Sequence, residues 1–315
     1  MLNTNFESYF NTSIKNDASS NFVILLGSGF HKNDSCNLPS LKSWDPLLKT
    51  IDSNFESTGN YLLDFEKIIL KNPSNLTAQN QENVFLKKIS GEIKAAEKLI
   101  LKNSVLDYPT FIFNPNYVSD VISLNFDHVA EKLCRIQFKA KIKKRGYIKV
   151  DKKLGETALV HQTTKYKVLE FSNGKTITFW YPHGSVAKPT KMILGARRYG
   201  QHIACVERLR RYSKAKTAKT PNNYNWYDKL VHNPLLILGA SISNNEWDLW
   251  SAIVNRERNF FKQKNIQYRN PIFQMRHNDC KKVENQSASQ EWFEPLFNES
   301  LSFEKQWNNL KQLFK

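Results

Sequence analysis

The chain alternates between short unbroken apolar runs, each halted by glycine or a polar cluster, and stretches of helical periodicity. Phe22 to Leu26 (FVILL) is apolar throughout and stops at Gly27-Ser28-Gly29, as a parallel strand buried on both faces does when it runs into a tight turn. Val118 to Leu124 (VSDVISL), with Ser119, Asp120 and Ser123 among its apolar residues, reads as a second buried strand and meets Asn125-Phe126-Asp127, and Pro234 to Leu238 repeats the apolar run and meets Gly239-Ala240-Ser241. Leu86, Ile89, Ile93, Ala96 and Ile100 step by three and four residues, so one stripe of a helix faces a core while Glu and Lys cover its other side. Further helices are predicted through Trp44, Leu47 and Leu48, and through Val129, Leu133 and Ile136. Residues 245–262 should form another, with Trp247, Trp250, Val254 and Phe261 inward, and residues 303–314 a last one carrying Trp307, Leu310 and Phe314.

From about residue 147 to residue 180 the period changes to two. In VLEFSNGKTITFW, Asn173-Gly174 separates two alternating runs and suits the two positive-φ positions of a type I′ turn, so a hairpin is predicted. It leads into Tyr181-Pro182-His183-Gly184-Ser185. Short strands are expected at Met192 to Leu194 and Pro271 to Met275. Strand–turn–helix units in this order imply an α/β fold, a mostly parallel sheet with helices on both faces. All 315 residues fit one domain, with the hairpin region, about 138–182, as an insertion or small lobe.

Composition narrows the class. With 40% hydrophobic and 12% aromatic residues the chain can bury a real core. No apolar run approaches the roughly 20 residues that span a bilayer, and MLNTNFESYF has neither the basic nor the apolar part of a secretory leader, so a cytoplasmic location is expected. Cys36, Cys134, Cys205 and Cys280 stand apart; no C-x-x-C pair is present to hold zinc, and no metal is expected. The net charge of +17 fits a polyanionic partner, nucleic acid included, and fits equally a Lys-rich solvated surface. Two basic runs stand out, Lys139 to Lys153 and Arg208 to Lys219; the second holds no acid and reads as a loop over about 206–222.

Three places could carry chemistry. Gly27, Ser28 and Gly29 could bring backbone N–H groups close to a pyrophosphate, or could be an ordinary strand-to-helix turn. Asn125 and Asp127 lie where a predicted strand ends, the edge at which ligands bind in parallel sheets. Asp127 is equally placed to cap the helix that follows. His183, between strands, could act as a general base near neutral pH or be structural, as histidines commonly are.

Taken in order, G-S-G-F, L-P-S with a nearby W-D-P-L-L, S-L-N-F-D-H-V-A-E-K-L, Y-P-H-G-S-V and L-L-I-L-G-A-S-I resemble the sirtuin-like fold, and within it the bacterial sirtuin-like NAD hydrolases of antiphage defence. The matches are Gly27 and Gly29; Asn125, Asp127 and Glu131; His183, Gly184 and Ser185; and Gly239 with Ser241, spread over roughly residues 20 to 275. The resemblance implies a Rossmann-like sheet and an NAD+ hydrolase that releases nicotinamide and ADP-ribose. By it, Gly27, Ser28 and Gly29 cradle the pyrophosphate, and Asn125 holds the nicotinamide ribose and positions water. Asp127 meets the carboxamide, His183 accepts a proton, and Gly239 and Ser241 sit by the adenosine ribose. It also implies a toxic effector of abortive infection, oligomeric and switched on by a separately encoded sensor. Protein deacetylases of the family carry a four-cysteine zinc module; its absence here points to plain hydrolysis of NAD. Two other readings remain: a degenerate module that binds NAD or ADP-ribose without turnover, and a basic nucleic-acid-binding protein.

Overall fold

The structure, a computed structural model, describes residues 2–16, 21–32, 38, 41, 43–71, 76–103, 108–147, 164–216, 225–240, 242, 246–262, 270–275, 292–298 and 301–314. In chain order the elements are α1 (Thr4–Tyr9), β1 (Phe22–Leu26), α2 (Trp44–Lys49), α3 (Tyr61–Lys71), α4 (Ala78–Asn103), β2 (Val118–Ser123), α5 (Val129–Phe138), β3 (Lys141–Tyr147), β4 (Lys165–Glu170) and β5 (Thr176–Trp180). They continue with α6 (Ala196–Lys216), α7 (Trp226–His232), β6 (Leu235–Leu238), α8 (Trp247–Lys262), β7 (Ile272–Gln274), β8 (Glu294–Pro295) and α9 (Phe303–Leu313).

The strands form one mixed sheet in the order β3-β4-β5-β2-β1-β6-β7-β8. It is parallel from β5 to β8, and β3 and β4 extend it antiparallel, so the architecture is Rossmann-like α/β. Strand β1 shows why its sequence has no polar position. Phe22, Ile24 and Leu26 enter a core with α1 to α5 and α9, while Val23 and Leu25 enter another with α6, α7 and α8. Both faces are covered, and each such side chain withdrawn from water contributes about 1.5–3 kcal/mol. The polar interruption in β2, Asp120, is buried but satisfied: Trp180 Nε1 donates to it at 2.8 Å and Lys229 Nζ pairs with it at 3.0 Å. Helix α7 starts on a capping box, Asn225 accepting from the Asp228 N–H and Asp228 from the Asn225 N–H.

Five expectations are corrected. The hairpin turn is not type I′, because Gly174 has φ +75° whereas Asn173 stays at negative φ. Gly174 N–H bonds to Phe171 C=O at 3.0 Å, and Phe171 N–H to Lys175 C=O at 2.9 Å, which makes a type I turn closed by a left-handed glycine. Residues 192–194 form no strand; they run buried beside the histidine loop, Ile193 N–H bonding to His183 C=O at 2.8 Å. Residues 206–216 are not a loop but the end of α6, whereas 217–222 lie outside the described residues. On α8 the fully buried face is Asp248, Leu249, Ala252, Ile253 and Arg256; Trp250 packs half-buried against the same core as expected, but Trp247 is 63% exposed. Ile136 likewise faces outward on α5. The first basic run holds a strand that its composition hid: β3 pairs antiparallel with β4, and its lysines line the edge of the sheet, where charge discourages further strands from adding.

Candidate functional site

The topology fixes where a site can form. Strand β1 connects onward to β2 on one side, and β6 connects to β7 on the other, so a crevice opens beyond the carboxyl ends of the adjacent β1 and β6. The turns that leave these strands press together. Gly29 N–H bonds to Gly239 C=O at 2.7 Å, and a Cβ on Gly29 would stand 2.5 Å from the Gly239 Cα. Gly239 itself has φ +63°. Two backbones meeting this closely leave no room for side chains, which is a sufficient reason for glycine at both places.

A cavity of about 280 Å³ lies over this contact, lined by Gly27, Ser28, Gly239 and Ala240 at its floor. Its remaining walls include Lys32, Trp44, Tyr61, Leu124, His183, Tyr199 and Glu246. A smaller one of about 70 Å³ shares Ser28, Ser43 and Trp44 with it and reaches Phe126 and Asp127. Trp44 is the partition, stacked on Tyr61 at 4.7 Å between ring centres with an interplanar angle of 9°.

His183 is held by a buried acid that the sequence did not single out. Its Nε2 lies 2.8 Å from Asp248 Oδ2 at the start of α8. His202 Nε2, from α6, reaches the same oxygen at 3.0 Å, and the Tyr199 hydroxyl donates to Asp248 Oδ1. Asp248 and His202 are wholly buried. Burial alone would raise the Asp248 pKa, yet the two histidines hold it well below the ordinary carboxylate value. Burial would lower His183, but the Asp248 carboxylate, with Glu246 adding to it, raises it above a normal imidazole. His202 is lowered, chiefly by burial. The two rings therefore differ: the proton resides preferentially on His183, and His202 serves as a neutral donor. With Nε2 committed to Asp248, Nδ1 is the His183 nitrogen left for a ligand in the cavity.

His183, His202 and Asp248 also bring three donor atoms within 4.8 Å of one another, near enough to hold a metal ion. A metal-bound His202 would need an acceptor for its Nδ1–H, and this buried atom has no hydrogen-bond partner. Hydrogen bonding to the carboxylate accounts for the arrangement better.

The other residues anticipated at the site divide. Ser28 lines both cavities, and Gly27 and Gly239 line the larger. Gly29 packs behind them, its N–H already engaged by Gly239 C=O. Asp127 faces the smaller cavity and also caps α5, its Oδ1 accepting from Val129 N–H at 2.9 Å and its Oδ2 bonding His31 Nε2 at 3.1 Å. Burial raises its pKa, but His31 and the Val129 N–H bring it below normal. Asn125 is not among the residues lining the larger cavity; its Nδ2 donates to the Gly27 carbonyl at 3.1 Å and ties the end of β2 to the glycine turn. Glu131 lies away from both cavities, ion-paired with Lys167 and accepting the Tyr181 hydroxyl at 3.1 Å. Ser241 is outside the described residues. No family model and no curated protein matches the sequence.

Proposed function

We propose that the chain is an NAD+ hydrolase that cleaves the nicotinamide–ribose bond. The observation that carries this reading is a carboxylate-anchored imidazole, His183, opening onto a 280 Å³ cavity floored by the two glycine turns. In it the pyrophosphate of NAD+ lies at Ser28 under the field of Lys32. The nicotinamide end enters the smaller cavity toward Asp127. As the C1′–N bond breaks, its electron pair neutralises the pyridinium and nicotinamide leaves, while positive charge develops on the ribose. His183 Nδ1 removes the proton from the incoming water, whose oxygen bonds to C1′; the products are ADP-ribose, nicotinamide and one proton. Glu246 in the same wall favours the cationic sugar. Asp248 keeps the imidazole oriented and basic, as a carboxylate partner does for a general base.

The test is NAD+ turnover by the purified chain, alone and with the protein encoded beside it. Nicotinamide and ADP-ribose should appear, and His183→Ala should remove at least about 10²-fold of the rate, the usual contribution of a general base. Retained turnover in that variant refutes the assignment. A second reading, a module that holds NAD without cleaving it, draws on the engagement of the Asn125 amide by Gly27. It expects NAD+ to raise the melting temperature with no product formed under any condition. A role as the toxic effector of an antiphage system, oligomeric and gated by a sensor protein, rests on the resemblance alone. It is checked by the cellular NAD+ level after phage infection.

A further inference from the structure

Asp248 carries more donors than a carboxylate needs to orient one imidazole. A carboxylate has no hydrogen to give, so both ring nitrogens facing it carry one. Oδ2 accepts from His183 Nε2 at 2.8 Å and from His202 Nε2 at 3.0 Å, and the two rings stand at 85° with centres 5.2 Å apart. Oδ1 accepts the Tyr199 hydroxyl, whose oxygen in turn accepts the Asp248 N–H at 3.3 Å. That reciprocal pair fixes the carboxylate plane at the first turn of α8. Tyr199 and His202 stand at i and i+3 of α6, so one face of one helix presents both donors.

Each donor has a settled proton. Burial and the Asp248 carboxylate raise the Tyr199 pKa, so the phenol keeps its hydrogen. A second proton on His202 would have to sit on Nδ1, a buried atom with no hydrogen-bond partner. A buried N–H without an acceptor is costly, which keeps His202 neutral. His183 has no such bar, because its side chain is 12% exposed and lines the cavity. The titratable and charged groups around it are Asp248 on α8 and Glu246 just before it, Tyr199 and His202 on α6, and Lys32 and Tyr61 in the cavity wall. Every hydrogen bond that a carboxylate accepts sets a positive dipole end against it and reduces the field it exerts on a third group. An Asp248 bonded to His183 alone would therefore grip the imidazolium harder than an Asp248 shared three ways.

We propose that Tyr199 and His202 are positioning residues for His183 that act through Asp248: they fix the carboxylate and take up part of its charge, which weakens its hold on the His183 proton. A general base works deprotonated, so the two residues extend the site's activity toward lower pH. That catalytic consequence rests on the NAD+ hydrolase reading; the proton affinity of His183 does not.

The experiment is an NMR titration of the imidazole resonances in the full chain, with the His183 signal assigned by its loss in His183→Asn. Tyr199→Phe removes the hydroxyl and keeps the ring, and it should raise the proton affinity of His183 at least about twofold. His202→Leu should do the same, whereas His202→Gln, whose amide again donates to Oδ2, should return the affinity toward the parent value. These shifts run opposite to the one expected of Asp248→Asn, and the acid limb of NAD+ turnover should move up with them. Tyr199→Phe retains both imidazoles and the packed ring, so it should fold even if His202→Leu does not. A His183 midpoint that stays or falls in Tyr199→Phe overturns the proposal, since the phenol would then only pack. A midpoint that rises equally in His202→Leu and His202→Gln overturns it for His202, because lost packing alone would explain the rise. Midpoints that move as expected in a chain that turns over no NAD+, with or without the protein encoded beside it, uphold the proposal and refute the hydrolase reading instead.

Discussion

At the scale of single residues, Asp248 sets the behaviour of the site. It accepts from two imidazoles and a phenol while wholly buried, so its charge is stabilised by His183, His202 and Tyr199 and not by water. Its pKa in the folded protein lies well below the ordinary value, so it contributes stability above the unfolded-state pKa of about 3.9 that is lost as pH falls through the folded value. His183 behaves oppositely. Its raised pKa gives stability below about pH 6.5 that is lost as pH rises through the folded value. The pair is therefore most stabilising between about pH 3.9 and about pH 6.5, and weakens as pH rises from there through the raised histidine value. Asp248→Asn should flatten melting temperature against pH at both ends of that window. Activity gives a separate readout. A general base works deprotonated, so the acid limb of the rate profile follows the His183 pKa. Without the carboxylate, burial dominates and that pKa falls, so the limb should move to lower pH while kcat drops at least about tenfold. A drop in kcat with an unmoved limb would mean that Asp248 merely holds α8 in place.

At the scale of elements, α8 shows where hydrophobic patterning misleads. Its tryptophans and phenylalanine draw the apolar stripe to Trp247, Trp250, Val254 and Phe261, yet the helix buries Leu249, Ala252 and Ile253, about one residue around the circle. Ile253→Ala should cost about 2–5 kcal/mol, the usual price of a large-to-small change in a core. Trp247→Ala should stay within about 0.5 kcal/mol, as exposed positions do. Chemical denaturation of the two variants decides which face packs. The same rotation hid the site. Asp248, Ala252 and Arg256 recur every four residues and look like a solvated face, so nothing local marks Asp248 as the partner of a histidine 65 residues earlier. Strands β1 and β6 were legible for the opposite reason. Burial on both faces writes an unbroken apolar run, and the backbone contact between the Gly29 and Gly239 turns forces glycine after both. His183 could be found by its place after a hairpin, whereas His202 and Tyr199 sit on α6 and join the site only through tertiary packing. Gly29→Ala tests the glycine contact. Its Cβ would press on Gly239 backbone, which cannot swing aside, so a loss of about 1–3 kcal/mol is expected by analogy with overpacked cores.

At the scale of the whole molecule, the interior changes what the net charge of +17 means. Among the described residues, Asp64, Glu82, Glu97, Asp120, Asp127, Glu131, Asp228 and Asp248 are buried, but of the lysines and arginines only Arg198 and Arg256 are. Folding thus takes carboxylates inward faster than cations, and the solvent-facing shell is more basic than the sequence total. Shell charges of one sign repel over about 10 Å at 0.1 M salt and less above it, whereas the buried pairs are hardly screened. If self-repulsion outweighs the exposed ion pairs, such as Lys143 with Glu170, added salt should stabilise the fold. The melting temperature should therefore rise by a few degrees between 50 and 500 mM sodium chloride, roughly 2–4 °C for each kcal/mol of relieved repulsion in a chain of this size. A melting temperature that falls with sodium chloride would place the balance with the surface ion pairs, and the basic shell would then have to be offset by contacts that salt can weaken.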